Sequence, residues 1–70
     1  MTTFEKLNNI VTNTTNQNMR EGMHVFNVIT EHYPEITKKL VNSEVDCYKK
    51  DANITVFLLT VAGIIDNDEI

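Results

Sequence analysis

The residue types that could do chemistry in this chain are few and scattered. Glu21-Gly22-Met23-His24 has Glu-x-x-His spacing. Bundled di-metal carboxylate sites use two such pairs plus two further glutamates, all pointing inward. This chain carries one pair, so a second copy would have to supply the other. On a helix, Glu21 and His24 fall on the side opposite the apolar stripe, where ordinary surface residues sit. His32 and Glu35 flank Tyr33-Pro34 at a helix junction, a place for a cap or an exposed imidazole more than for a ligand. Cys47 lies on an apolar face with no histidine near it in sequence and reads as a small buried hydrophobe. The only glycines are Gly22 and Gly63, so there is no glycine-rich phosphate loop. The expectation is therefore no catalytic residue, no metal and no cofactor.

Glu44 is the outlier. If one helix runs from Pro34 to Lys50, Glu44 falls within the apolar stripe between Leu40 and Cys47/Tyr48. A buried carboxylate must be paired, hydrogen-bonded or raised in pKa. Alternatively the helix breaks near Asn42-Ser43, Ser43 caps a new turn with Asp46 at the capping-box position, and Glu44 returns to solvent.

Size bounds what could hold such groups. Seventy residues make one domain, with a marginal core. Small chains usually add disulfides, a metal or oligomerisation. A single cysteine excludes an intramolecular disulfide, which leaves self-association or very good helix packing. The lone cysteine and a first segment, MTTFEKLNN, without basic or apolar signal features point to a reducing cytoplasm. The N-x-T matches at Asn13 and Asn53 are then chance.

The net charge of −4 is unevenly placed. Residues 1–50 hold every base (Lys6, Arg20, Lys38, Lys39, Lys49, Lys50) and are balanced by acids. Residues 51–70 hold Asp51, Asp66, Asp68 and Glu69 and no base. Direct nucleic-acid binding needs a basic patch and is disfavoured. Mimicry of DNA would need acids spread over a surface, whereas these sit at one end.

The elements that position these groups read as an all-α bundle of three to four helices with short turns. Thr2 and Glu5 form a capping box, and Phe4, Leu7, Ile10 and Val11 share a face of helix 1, about 3–12. TNTTNQN, 12–18, reads as a loop; one long helix through to Tyr33 is the alternative. Asn18 can cap helix 2, about 18–33, with Met19, Gly22, Met23, Phe26, Ile29, Thr30 and Tyr33 as its stripe and Arg20, His24, Asn27 and Glu31 opposite. Pro34 ends it and opens helix 3, about 34–50. Asp51 can cap helix 4, about 52–65. A strand competes there on composition, but alternation is absent and no second strand exists to pair with it. The run is too short to cross a membrane. The tail DNDEI is acidic and reads as solvated.

Helix 4 is apolar almost all round. Ile54, Phe57, Leu58, Val61, Ile64 and Ile65 form a bulky face for the core. Ala52, Thr55, Val56, Leu59, Ala62 and Gly63 form a second, smaller face. That face is the candidate interface for a homodimer or another protein. A fully enclosed central helix is the competing reading. Met19, Met23, Phe26 and Glu44 make a secondary candidate surface.

The functional expectation is a small non-enzymatic protein-protein interaction module. Asn-, Thr-, Ile- and Lys-rich usage fits AT-rich coding, an association with phages and mobile elements, and hence an inhibitor of a host protein. The alternatives are a subunit of an obligate complex, and an oligomeric binder of a small anion through Arg20, Lys38 and Lys39.

Overall fold

Each helix is set by a local signal, and the exceptions show where tertiary contacts took over. The computed structural model describes residues 1–14 and 18–67. Among them the regular structure is helical throughout: α1 (Thr3–Asn13), α2 (Glu21–His32), α3 (Pro34–Leu40), a single 3-10 turn (Asp51–Asn53) and α4 (Ile54–Asp66). The all-α reading holds.

α1 begins as its capping box dictates. The Glu5 amide donates to Thr2 Oγ1 at 3.2 Å, and the Thr2 amide donates to Glu5 Oε1 at 3.1 Å. The Glu5 carboxylate also accepts from the Thr2 hydroxyl at 3.1 Å, and its bonds to the Thr2 amide first and hydroxyl second lower its pKa. The helix buries Leu7, with Phe4 and Val11 beside it, and lies against α4. The loop expected over 12–18 lies partly outside the described residues, but α1 and α2 are separate helices.

α2 starts three residues later than expected. Asn18 does not cap it: the N-cap position is Arg20, without a side-chain cap bond. Its inner face is also rotated from the expected stripe. Val25, Val28, Ile29, Gly22 and His24 are buried, whereas Met19 is exposed and Met23, Phe26, Thr30 and Tyr33 are half-buried. A single-stripe reading assumes one neighbour, whereas α2 packs against both α1 and α3.

α3 is seven residues, not seventeen. It starts at Pro34, whose missing N–H costs nothing there. It ends at Leu40 because Asn42 takes a left-handed conformation, φ 62°, which asparagine tolerates and β-branched residues do not. Asp46 then fixes the non-helical chain: it accepts from the Asn42 amide at 2.7 Å and the Tyr48 amide at 2.8 Å. The chain therefore breaks where Asn42-Ser43 allows it, and Glu44 is exposed. No new helix follows. Ser43 Oγ accepts from the Val45 amide at 3.3 Å, but Asp46 serves this loop rather than a capping box.

α4 closes the structure. Phe57, Leu58 and Val61 are fully buried, and Ile54, Ile64 and Ile65 pack at the margin, as the bulky face requires. Phe57 stacks on Phe26 with centroids 5.4 Å apart, and Tyr48 meets Phe26 edge-on at 5.6 Å. One apolar cluster joins residues of all four helices and the 41–50 segment.

Candidate interaction surface

Asp51 does not cap the helix it precedes. Its Oδ1 accepts from the Gly22 amide at 3.0 Å, in the first turn of α2, and lies 3.6 Å from Arg20 Nη1. An acid at that position satisfies a donor that Asn18 leaves unserved and complements the positive end of the helix. Arg20 also donates to the Lys49 carbonyl at 3.1 Å and to the Tyr48 carbonyl. Its guanidinium is thus held within the chain by two carbonyls and a carboxylate, although about half of the side chain stays exposed. Lys38 and Lys39 stand in the last turn of α3, where they complement the helix dipole.

Cys47 completes this junction. Its thiol donates to the Gly22 carbonyl at 3.3 Å. Burial, and then the neighbouring Asp46 carboxylate, push the thiol up to about 12, so it stays protonated and unreactive at neutral pH. The reading of Cys47 as a buried hydrophobe holds. Gly22 is required by proximity: a Cβ there would lie 2.2 Å from the Cys47 carbonyl oxygen.

The Glu-x-x-His pair separates differently from expectation. His24 is 8% exposed and turns toward α1, where its Nε2–H donates to the Val11 carbonyl at 3.3 Å. Glu21 is exposed. Both border an open cleft of about 500 Å³ whose floor is Val11, Val25, Ile54 and Leu58. Among the described residues no group of three acidic, histidine or cysteine side chains could hold a metal ion.

The second face of α4 is partly internal. Ala62 is 6% exposed and belongs to the core cluster, so it leaves the candidate interface. The remainder is a real surface: Leu59 is 53% exposed, Val56 40%, and Ala52 and Thr55 are exposed beside them. Gly63 is half-buried, and a Cβ built on it would have no neighbour within 4 Å, so the helix is notched there. No charged side chain interrupts the run from Ala52 to Ile65. The secondary surface is less coherent. Met19 and Glu44 are exposed, but Phe26 is held between Phe57 and Tyr48.

No described helix is long and apolar enough to cross a membrane. Compared with protein-family models, curated proteins and solved structures, the chain finds no match in any of the three.

Proposed function

We propose that this chain acts by binding protein through the outer face of α4, and not by catalysis. One observation carries the reading: Val56 and Leu59 keep much of their apolar surface in solvent on a helix whose other face already fills the core. Isolated exposed apolar residues need no explanation, but adjacent ones on an uncharged helical strip are what partner surfaces present. In its sharper form the reading makes the chain a phage- or mobile-element-encoded inhibitor of a host protein. Small size and AT-rich usage support that form.

The test is site-directed photo-crosslinking, with a benzophenone side chain at Leu59 and, for comparison, at exposed Glu31 on α2. Irradiation of producing cells, and of the purified chain at high concentration, is expected to give protein adducts from position 59 and none from 31. A position-59 chain that stays folded and yields no protein adduct in either setting overturns the proposal.

A further inference from the structure

We infer that the α4 face is occupied by a second copy of this chain, packed antiparallel about a two-fold axis that passes between Val56 and Leu59. The inference rests on the binding-module reading and names its partner. The outer side of α4 carries exposed Thr55, Val56, Leu59 and Asp66 and the notch at Gly63, with exposed Ala52 in the 3-10 turn just before it. Thr55 lies at the edge, and the midline runs through Ala52, Val56, Leu59, Gly63 and Asp66. These are alternating steps of four and three residues, the seam spacing of a helix pair. Among the described residues the chain itself places no helix on that seam.

Direction follows from the residue types. In an antiparallel two-fold pair each position faces a different one on the other copy. With the axis between 56 and 59, Val56 of each copy meets Leu59 of the other, so bulky meets bulky at the centre. Ala52 meets Gly63, so small meets small one turn out on each side, and the backbones can approach. The empty space beside Gly63 supplies that room without any internal rearrangement. Within α4, about 15 Å separates the Val56 and Asp66 levels. Beyond Ala52, Lys49 and Lys50 stand where the chain enters the 3-10 turn. Both are exposed, as is Asp66 at the opposite end of α4, whose Oδ1 also accepts from the Thr3 hydroxyl of its own chain. The antiparallel arrangement therefore brings the lysines of each copy to the acidic end of the other, twice. A parallel pair would set acid on acid and lysine on lysine. Opposed helix dipoles favour the same direction. It also fits the sequence, in which no base follows Lys50 while Asp68 and Glu69 follow Asp66. The seam is short, so the dimer is weak, with a dissociation constant on the order of tens of micromolar.

The experiment is sedimentation of the full chain from about 1 µM to 1 mM, with circular dichroism to confirm folding of each variant. The parent is expected to pass from monomer to dimer across this range. Gly63→Leu fills the notch from a Cβ that has no neighbour within 4 Å, and should give a folded monomer. Lys49→Asp and Asp66→Lys should each weaken the dimer about tenfold, and the double variant should recover most of the loss. Direction is read by oxidising an equal mixture of Val56→Cys and Leu59→Cys chains, in which the buried Cys47 stays out of the reaction. The mixed 56–59 disulfide should dominate. A parent that remains monomeric at 1 mM overturns the inference, as does a dimer unmoved by Gly63→Leu. Dominant 56–56 and 59–59 products overturn the antiparallel register. A monomeric parent whose position-59 crosslinker still captures another protein leaves the binding-module reading standing while this inference falls.

Discussion

Cys47 shows how far one buried atom can tie a residue's chemistry to the stability of the fold. The thiol is fully enclosed and donates to the Gly22 carbonyl. Its pKa is raised from 9.0 to about 12, by burial first and Asp46 second. A raised acid supports the fold while the thiol is neutral in both states. That support is complete below the unfolded value near 9 and is lost as pH climbs toward about 12. The melting temperature of the parent is therefore expected to fall more steeply between pH 9 and 11 than that of Cys47→Ala, although the alanine variant starts lower because of the lost packing. Equal slopes would show that the thiol is not the group responsible. Cys47 was read as a buried hydrophobe, and it is one, but the helical spacing behind that reading does not exist there, because α3 ends at Leu40 and Cys47 lies in the non-helical 41–50 segment. Its partner, the Gly22 carbonyl 25 residues earlier, leaves no mark in local sequence.

At the scale of elements, capping divides what could be read from what could not. The Thr2–Glu5 box lies within four residues, and the start of α1 was legible from it. The cap of α2 comes from Asp51, 29 residues away, so a local reading turned to Asn18 instead. α3 was overextended because its apolar spacing continues formally past Leu40, while the left-handed Asn42 and the two amide bonds to Asp46 end the helix. The inner face of α2 was misplaced because two neighbours enclose it, and His24 is satisfied by the end of α1. From this geometry, Asp51→Ala is expected to cost about 1–2 kcal/mol, the usual loss for a removed helix cap, measured by urea denaturation. The loss should appear as early amide exchange in the first turn of α2 rather than in α4. Loss confined to α4 would mean that Asp51 serves its own helix after all.

For the molecule as a whole, the bundle and the inward turn of the bulky face of α4 were legible, because Phe57, Leu58 and Val61 fall on one side of a run with no charged residue. The candidate surface was legible in outline only: Ala62 went to the core, while Val56 and Leu59 stayed outside. How far the second face is covered depends on how three other helices are arranged, and helical spacing alone does not carry that information. The contrast is measurable in dilute solution. Phe57→Ala should lose about 3–5 kcal/mol, a large part of what a chain of this length has. Leu59→Ala should change stability by less than about 0.5 kcal/mol. Similar losses at both positions would erase the distinction between core and surface on α4.

The dependence of α2 on Asp51, and of the core on Phe57, bears on vectorial synthesis. Chain that has emerged only as far as Leu40 contains all of α1, α2 and α3. It still lacks the carboxylate that completes the first turn of α2 and the ring on which Phe26 stacks. The apolar faces of three helices therefore wait, uncovered, until residues 51–66 follow. In that interval the nascent protein depends on fast completion or on chaperones to escape aggregation.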